Sequence, residues 1–317
     1  MEYRRCGHSG LLLPAISLGL WHNFGASAVF GQARRLIWEA FDRGITHFDL
    51  ANNYGPPPGS AEETLGHILR NGLQRHRDEI LITTKAGHAM WNGPYGDWGS
   101  RKHLIASCDQ SLRRLGVDYV DIFYSHRPDP ETPLEETMQA LDYIVRSGRA
   151  LYVGLSKYPP DTARNAMEIL KQLGTPCVVH QLRYSMLVRE PEQELFPLFE
   201  TVGCGVVSFS PLAQGQLSER YLEGIPNNSR AARNGFLKSA DVQANLPKIK
   251  KLHRLALQRG ESLSQMAIAW QLRRPVPVTS VIVGVSSSEQ LQQNLGALES
   301  PAFTPEELQQ IDAILQS

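Results

Sequence analysis

Residues 80–85, Ile80-Leu81-Ile82-Thr83-Thr84-Lys85, place an apolar run of three residues and two threonines before an ionisable side chain. Val281-Ile282-Val283 is a second apolar run of the same kind. A strand that is buried on both faces has apolar residues at successive positions, and such strands belong to parallel sheets that are covered by helices. The two runs therefore predict a parallel sheet.

Short apolar runs and longer amphipathic stretches alternate along the rest of the chain. This alternation predicts an α/β fold with a parallel sheet wrapped by helices, and eight units favour a closed (β/α)8 TIM barrel over an open sheet. The predicted strands are residues 16–20, 46–50, 80–84, 119–124, 152–155, 178–181, 206–209 and 280–283. The predicted helices are residues 33–43, 61–73, 101–115, 133–147, 161–173, 192–202, 241–259, 264–273 and 287–298.

The length of 317 residues is compatible with one barrel, because α/β barrels commonly exceed about 250 residues as one unit. Residues 1–317 are therefore expected to form a single domain. The open doubly wound alternative usually carries G-x-G-x-x-G after its first strand, and no such string occurs in the sequence. A bound dinucleotide would have to be held in another way.

Local signals add smaller predictions. The segment before the first barrel strand is expected to form a hairpin, and Ser60 with Glu63 three residues later predicts a capping box for the second helix. Residues 87–99 and 212–240 are predicted to be long loops after the third and seventh strands. Long irregular insertions in a compact domain are usually functional.

Charge and hydropathy exclude several classes of partner. The 32 Lys and Arg residues balance the 32 Asp and Glu residues, so no broad basic field attracts nucleic acid or an anionic membrane surface. The N-terminus lacks the apolar core of a signal peptide, and no stretch has the length and apolarity of a membrane span. A cytoplasmic protein without nucleic-acid or membrane partners is expected.

The cysteines give no sign of a metal site. They lie far apart, with no C-x-x-C pair and no neighbouring histidine at the spacing of a zinc site. We expect free thiols in a reducing compartment and no bound metal. The four residues are Cys6, Cys108, Cys177 and Cys204.

Four ionisable residues fall at, or just after, the ends of predicted strands: Asp49, Tyr54, Lys85 and His126. In a barrel of parallel strands these ends gather at one face, where active sites lie. A phenol with a pKa of about 10 is a weak acid, but a neighbouring ammonium lowers that pKa and makes the tyrosine a usable general acid. Asp49 would keep Lys85 charged and aimed, and His126 would orient a substrate carbonyl.

Each of these residues alone has an ordinary structural explanation. A lysine or aspartate after a strand is usually solvated or part of a surface pair, and a tyrosine there usually packs with its hydroxyl satisfied. Their occurrence together at successive strand ends favours a catalytic site. A Schiff-base aldolase stays open, because a desolvated lysine at a barrel strand end can be a nucleophile, although Asp49 favours the charged amine of Lys85.

Six motifs follow the predicted strands in a fixed order: Phe48-Asp49-Leu50-Ala51-Asn52-Asn53-Tyr54-Gly55, Thr83-Thr84-Lys85, Tyr124-Ser125-His126, Gly154-Leu155-Ser156, Ser208-Phe209-Ser210-Pro211-Leu212-Ala213-Gln214-Gly215 and Ile282-Val283-Gly284-Val285-Ser286. In this order they resemble the aldo-keto reductase superfamily over essentially the whole chain. Within it, the chain is similar to bacterial reductases of L-glyceraldehyde 3-phosphate and methylglyoxal, which in turn resemble the β subunits of voltage-gated potassium channels.

The resemblance implies an NADPH-dependent carbonyl reductase of small aldehydes, with Asp49, Tyr54, Lys85 and His126 as its catalytic tetrad. The cofactor would supply hydride, and the protein would supply position and a proton. Relatives also suggest a homo-oligomer. The alternative function is a regulatory subunit that binds NADPH, senses redox state and turns over slowly.

The same resemblance implies a cofactor site. Ser156 and Gln181 would hydrogen-bond the carboxamide, and Phe209 would pack against the nicotinamide, although Phe209 could equally belong to the core. A helix N-terminus at the adenosine end is a natural phosphate site, although its serine run could be a simple N-cap. The implied cofactor residues are Trp21, Asp49, Ser156, Gln181, Phe209, Ser210, Leu212, Gln214, Arg220 and, at the adenosine end, Ser286, Gln290 and Asn294.

The chain departs from the family pattern at three positions. Lys157 stands where many members have asparagine, so its charge would enter the nicotinamide pocket if the side chain pointed inward. Gly284 and Gln290 stand where several relatives have basic residues, and a 2′-phosphate normally calls for arginine or lysine. NADPH is still expected in preference to NADH, because three arginines could replace them: Arg220, Arg230 and Arg233.

The substrate pocket is expected to have an aromatic rim, although loop aromatics can equally be structural anchors. Arg127 and Arg183 are candidate anchors for a phosphate or carboxylate on the substrate, but solvated surface arginines would look the same in the sequence. The other residues expected at the pocket are Trp21, Phe24, Tyr54, Trp91, Tyr95, Trp98 and His126.

Overall fold

The chain begins with a small hairpin. The computed structural model describes residues 1–227, 229–232 and 236–316. Strands β1 (Tyr3–Arg5) and β2 (Leu12–Pro14) pair antiparallel, with Arg4 opposite Leu13. The predicted N-terminal hairpin is therefore confirmed.

Eight parallel strands then close into a barrel. They are β3 (Ile16–Gly19), β4 (His47–Asp49), β5 (Leu81–Ala86), β6 (Val120–Ser125), β7 (Ala150–Ser156), β8 (Cys177–Arg183), β9 (Gly205–Phe209) and β10 (Val278–Val283). Each strand pairs with the next along the chain, and β10 returns to pair with β3. All eight predicted strands are present, and the (β/α)8 barrel is confirmed.

Helices surround this barrel. Those that connect the strands, or follow the last one, coincide with the predicted helices to within a few residues. They are α1 (Phe30–Asp42), α2 (Ser60–Arg70), α3 (Arg101–Leu115), α4 (Leu134–Arg146), α5 (Pro160–Gln172), α6 (Leu195–Val202), α7 (Ser239–Gln258), α8 (Leu263–Leu272) and α9 (Ser288–Leu295). None of the described helices combines the length and apolarity needed to cross a bilayer.

A further helix, α10 (Pro305–Gln316), was not expected from the sequence. Its signal is nevertheless present, because Thr304 and Glu307 form a reciprocal cap. The Thr304 amide donates to Glu307 Oε2 over 2.8 Å, and the Glu307 amide donates to Thr304 Oγ1 over 3.2 Å. Lys248 of α7 holds the far end by donating to the Leu315 carbonyl over 2.7 Å.

The predicted capping box at Ser60 is wrong. Gly59 is the residue before α2, and no side chain caps that end. The Ser60 hydroxyl instead donates to the Pro57 carbonyl over 2.7 Å and accepts the Ala26 amide over 3.1 Å. The Ser60 hydroxyl therefore binds the backbone of a distant loop and does not cap the helix.

The hairpin plugs the barrel at the amino-terminal ends of its strands. The His8 amide donates to the Gly203 carbonyl, just before β9 begins. Buried hairpin side chains pack inside the barrel against side chains from four strands. This cluster comprises Cys6, Leu11 and Leu13 with Ile122, Tyr124, Val178, Val179, Val207 and Ile282.

The carboxyl-terminal ends of the strands carry the long loops. One connects β5 to α3, and the other connects β9 to α7, as predicted. The second contains two short 3-10 turns, Ala213–Gly215 and Glu219–Tyr221. This end of the barrel is therefore the one that can be elaborated into a site.

The cysteines are all buried and unpaired, as expected for free thiols. Burial raises the pKa of the Cys6 and Cys108 thiols to about 12. A thiol with a pKa this high carries almost no thiolate at neutral pH, so neither is a reactive nucleophile.

Candidate active site

A buried ion pair lies at the carboxyl-terminal ends of β4 and β5. Lys85 is fully buried, and its Nζ donates to Asp49 Oδ2 over 2.7 Å and to the Leu50 carbonyl over 2.5 Å. Burial lowers the pKa of Lys85, and the Asp49 charge opposes that shift. With its ammonium held by two oxygens, Lys85 is poorly placed to attack a carbonyl, which disfavours the aldolase hypothesis.

Asp49 is held from below by a chain of buried polar groups. The Thr83 hydroxyl donates to Asp49 Oδ1 over 3.0 Å, and His47 Nε2 lies 3.1 Å from the Thr83 oxygen. On the other side of the ring, His47 Nδ1 is 2.8 Å from the Ser17 hydroxyl, which lies 2.6 Å from that of Ser280.

The carboxylate of Asp49, at one end of this series of hydrogen bonds, fixes the direction of each of them. A carboxylate only accepts, so Thr83 must donate to Asp49 and accept from His47 Nε2–H. His47 Nδ1 then accepts from Ser17, which accepts from Ser280. Burial lowers the pKa of His47 to about 4, so the ring is neutral and has the one tautomer that this chain requires.

Tyr54 lies above the ion pair. The Lys85 Nζ is 5.1 Å from the centre of the Tyr54 ring. Desolvation and the negative charge of Asp49 raise the pKa of Tyr54 well above its ordinary value. The prediction that Lys85 lowers this pKa is therefore wrong, because desolvation of the buried phenol outweighs the effect of the lysine charge.

His126 faces Tyr54 across the site. Its amide donates to the Ala86 carbonyl over 2.8 Å, and its ring is 5.9 Å from the Tyr54 ring and 4.5 Å from the His88 ring. Burial, and then the charges of Lys85 and Lys157, hold the pKa of His126 well below its usual range. His126 is consequently neutral at neutral pH and acts as a hydrogen-bonding group.

A cavity of about 1380 Å³ opens above these residues. This exceeds the volume of a typical site for a drug-sized molecule, and it suits a longer ligand. Most of the residues expected to bind cofactor or substrate line it together. These are Trp21, Asp49, Tyr54, His126, Gln181, Arg183, Phe209, Ser210, Leu212, Gln214, Arg220, Ser286, Gln290 and Asn294.

Seven of the expected residues do not line the cavity. Lys85, Ser156 and Phe24 are buried within the protein. Trp91 packs against His103, with ring centres 5.0 Å apart.

The other three belong to, or are held by, the long loop after β5. Tyr95 and Trp98 lie on this loop and are exposed. Arg127 is held by its contacts with the loop.

Arg127 is engaged within the protein through two of its three nitrogens. Its Nε donates to the Gly87 carbonyl over 2.7 Å, and its Nη2 pairs with Asp97 over 2.8 Å. The guanidinium also lies 3.6 Å from the centre of the Trp98 ring. These contacts fix the loop after β5, and they leave little of the guanidinium for a substrate anion.

The residues at the reactive end fit a carboxamide. Gln181 Nε2 donates to Asp49 Oδ1 over 2.9 Å, so its carbonyl oxygen stays available as an acceptor. The Ser156 hydroxyl is buried and has no partner among the described residues, and Ser156 pairs with Gln181 in register. A buried polar atom without a partner is costly, and a carboxamide would satisfy both groups.

The opposite end of the cavity lies beside α9. The Ser287 hydroxyl caps this helix, and Gln290 Oε1 accepts from the Ser286 amide and hydroxyl over 2.9 and 3.0 Å. On the long loop, Arg230 donates to Gln214 Oε1 over 2.9 Å. Arg233, the third arginine considered for the 2′-phosphate, lies outside the described residues.

Backbone strain is concentrated at this face of the barrel. A positive φ is uncommon for residues other than glycine, and such residues cluster at functional sites. Among the described residues, those with φ between 46° and 68° lie in the long loops or just after strands. They are Trp98, Lys157, Ser210, Ala213 and Gln214.

Several cavity residues were not expected from the sequence. Phe236 is 81% exposed and lies 5.7 Å from the Trp21 ring, over the cavity mouth. His88 and His22 also line the cavity. His88 had a usable signal, since it lies just after the strand that carries Lys85. Phe236 had none, because its position depends on how the loop after β9 folds back.

Lys157 does point into the cavity. Its Nζ lies 5.8 Å from the centre of the Phe209 ring. The departure from the usual asparagine therefore places a positive charge beside the reactive end of the site.

Comparisons with known proteins agree with this geometry. The model of the aldo/keto reductase family matches residues 15–316. The L-glyceraldehyde 3-phosphate reductase of Escherichia coli (strain K12) is 51% identical over 318 residues, covering 98% of this chain and 92% of the relative. Probable voltage-gated potassium channel β subunits are more distant. The one from Arabidopsis thaliana is 37% identical and the one from Oryza sativa subsp. japonica 36% identical, and each match covers 100% of this chain and 97% of the relative.

Proposed function

The chain belongs to the aldo/keto reductase family, and we propose that it reduces small aldehydes to alcohols with NADPH as hydride donor. Enzymes of this family are oxidoreductases that use NAD(P)H. The observation that carries the proposal is the convergence of Tyr54 and His126 on one cavity, above the buried pair of Lys85 and Asp49.

In this proposal each of the four residues has a separate role. His126, which is neutral, donates a hydrogen bond to the aldehyde oxygen and orients the carbonyl. Tyr54 stays protonated at neutral pH because its pKa is raised, and it gives its proton to the oxygen as negative charge develops there. Lys85 is held against Asp49 and stabilises the phenolate that remains. The cofactor, when bound, supplies the hydride.

The preference for NADPH is supported by the arginines beside the cavity. Arg220 and Arg230 both line it, and a guanidinium binds a 2′-phosphate through two hydrogen bonds. Ser286, Gln290 and Asn294 would receive the adenosine end.

The substrates that we propose are L-glyceraldehyde 3-phosphate, methylglyoxal and aldehydes of similar size. The name and 51% identity of the Escherichia coli relative support the first. The aromatic side chains of Trp21 and Tyr54 at the cavity wall suit a short carbon chain.

The test follows the near-ultraviolet absorbance of NADPH, and then NADH, with each aldehyde, alongside fluorescence titration of the cofactor. Saturable oxidation of NADPH is the expected result. Oxidation of NADH alone would overturn the cofactor assignment, and no oxidation with any aldehyde would overturn the reductase.

A second candidate is an NADPH-binding regulatory subunit that senses redox state and turns over slowly. Its support is the 36–37% identity to probable potassium channel β subunits over the whole chain. Tight NADPH binding with negligible turnover would favour it.

We also propose that the protein works in the cytoplasm as a homo-oligomer. Four buried thiols without a disulfide support a reducing compartment. Sedimentation of the purified protein over a range of concentrations tests the oligomer, and a monomer throughout that range would refute it.

A further inference from the structure

Two exposed cations at the ends of neighbouring strands line the cavity. Lys157 directly follows β7, and Arg183 is the last residue of β8. The Lys157 amide donates to the Gln181 carbonyl over 3.1 Å, which ties the turn after β7 to β8. Both side chains line the cavity.

Neither cation has an acidic partner among the described residues, and the Lys157 ammonium lies 5.8 Å from the centre of the Phe209 ring. In the part of the chain that the structure describes, the Lys157 ammonium and the Arg183 guanidinium form no hydrogen bond or ion pair. Arg127, by contrast, is engaged by Gly87, Asp97 and Trp98. The cations that remain available at this end of the cavity are therefore Lys157 and Arg183.

Lys157 lies at the reactive end. Its charge is close enough to lower the pKa of both His126 and His88. Burial, followed by the charges of Lys85 and Arg127, lowers the pKa of Lys157 itself to about 8. The neighbouring cations repel the charged form of Lys157. A bound anion would offset this repulsion and stabilise the ammonium.

The backbone conformation of Lys157 is unusual for a lysine. Its φ of 60° lies in the left-handed region, which a lysine adopts only when the surrounding structure imposes it. The Lys157 side chain is exposed, and its ammonium lies at the cavity wall beside the Phe209 ring.

The charges that line the cavity are mostly positive. The cations are Lys157, Arg183, Arg220 and Arg230, and the acids are Asp49 and Glu219. Asp49 is already neutralised by Lys85. Glu219 lies on the far loop and accepts the Leu263 amide over 2.9 Å. Asp97, whose charge reaches His88 at the reactive end, is paired with Arg127. An anionic ligand group there would therefore meet carboxylates that are already paired with cations.

We propose that Lys157 and Arg183 form a subsite for a phosphate group on the substrate aldehyde. This inference rests on the proposed reductase function and makes phosphorylated short-chain aldehydes its preferred substrate class. The phosphates of the cofactor are the other source of the same chemistry. They are expected at the arginines of the long loop and at α9, away from His126.

The experiment compares L-glyceraldehyde 3-phosphate with unphosphorylated L-glyceraldehyde, which has the same carbon skeleton. Steady-state kinetics with NADPH are measured for the wild-type protein and for Lys157→Met, Arg183→Met and Lys157→Arg. Lys171→Met on the exposed side of α5 is the matched control for loss of one charge. Thermal melting confirms that each variant is folded.

We expect Lys157→Met and Arg183→Met to lower kcat/KM for the phosphorylated aldehyde at least about tenfold more than for L-glyceraldehyde, through KM, as is typical of losing a charge-assisted hydrogen bond. Lys157→Arg should retain most of the preference. An equal loss on both aldehydes would overturn the subsite. A weaker NADPH affinity with an unchanged ratio would assign the two cations to the cofactor.

A binding measurement separates this inference from the proposed function. Calorimetric titration of glycerol 3-phosphate into the NADP⁺-loaded protein needs no turnover. If the wild-type protein reduces neither aldehyde, the reductase proposal fails, and binding of glycerol 3-phosphate that Lys157→Met weakens would still support the subsite. Equal binding by both proteins, or binding by neither, would overturn it.

Discussion

Gln181 donates from Nε2 to the Oδ1 atom of Asp49 over 2.9 Å, and this bond decides which way the amide of Gln181 faces. Oδ1 of Asp49 accepts from Thr83 as well, while Oδ2 accepts from Lys85. The carboxylate is thus surrounded by donors. The Gln181 amide keeps its carbonyl oxygen free to accept from a carboxamide, and its second N–H remains available as a donor.

Gln181→Glu tests this arrangement. The new carboxylate would face Asp49 at hydrogen-bonding distance, and like charges this close repel strongly. We expect cofactor affinity, measured by fluorescence titration, to fall about tenfold or more at pH 8 and to recover as the pH is lowered and the new carboxyl is protonated. Gln181→Met, which cannot titrate, is the control. A pH-independent loss in Gln181→Glu would contradict the orientation.

Tyr54→Phe removes the proposed proton donor without changing the ring. We expect turnover to fall by about 100-fold or more, the usual range for losing a general acid, while NADPH affinity stays within about twofold. Stopped-flow measurement of NADPH oxidation checks this. Tyr143→Phe, on the exposed face of α4, is the matched control. Unchanged reduction rates would rule out Tyr54 as the acid.

Arg127→Met should act on the loop after β5 and not on the substrate charge. Because Arg127 ties that loop through Gly87 and Asp97, we expect KM to rise by a similar factor for L-glyceraldehyde 3-phosphate and for L-glyceraldehyde. Asp97→Asn removes the same ion pair from the other side and should reproduce the pattern. A loss confined to the phosphorylated aldehyde would show that Arg127 binds the substrate.

Arg220→Ala tests cofactor choice. If Arg220 binds the 2′-phosphate, the variant should bind NADPH about 10–100-fold more weakly and NADH almost unchanged, since a hydrogen bond to a charged group contributes about 1.5–3 kcal/mol. Fluorescence titration with both cofactors provides the comparison. Arg164→Ala, on α5, is the control for loss of an exposed arginine. Parallel weakening of both cofactors would place the 2′-phosphate elsewhere.

His180 makes the fold sensitive to acid. It is fully buried, and its ring has no well-aligned hydrogen bond among the described residues, although a weak contact with the Tyr158 backbone opposes part of the effect of burial on its pKa. Burial lowers its pKa to about 3 from an ordinary value of 6.5. Between pH 6.5 and about 3, the unfolded chain binds a proton at His180 that the folded protein does not. The contribution of His180 to the free energy of unfolding is therefore unchanged above pH 6.5, and the protein loses stability as the pH falls towards 3.

His180→Leu should flatten this dependence. We expect the variant to lose less stability between pH 6.5 and pH 4 in urea denaturation than the wild-type protein, because one proton-linked cost has gone. His47, whose pKa is lowered to about 4, contributes to the same window and remains in the variant. An unchanged slope would show that His180 is hydrogen-bonded in solution.

The fold was predictable because its signals are local. The strands are indicated by apolar runs, such as Ile80-Leu81-Ile82 at the start of β5. Several strands end at or near a polar residue, such as Lys85. The geometry of a closed barrel then brings Asp49 and Lys85 together, although they are 36 residues apart. Their convergence follows from strand order alone, which is why the catalytic candidates could be named from the sequence.

Other features depend on how loops fold, and these were missed. The Ser60 hydroxyl was expected to cap α2, but it accepts a hydrogen bond from the Ala26 amide of another loop. Arg127 was a candidate substrate anchor, but Asp97, on a long irregular loop, pairs with it. Helix α10 is a different case, since its capping residues, Thr304 and Glu307, are a local signal in the sequence.

The left-handed residues around the cavity have a consequence for the evolution of the protein. Each such residue costs roughly 1 kcal/mol compared with an ordinary conformation, and Trp98, Lys157, Ser210, Ala213 and Gln214 all bear this cost. Selection for heat resistance alone would favour glycine at these positions and would gradually remove the side chains that shape the pocket. A lineage that adapts to high temperature while keeping its activity is therefore expected to gain its stability away from these positions, for example around the hairpin at the opposite end of the barrel.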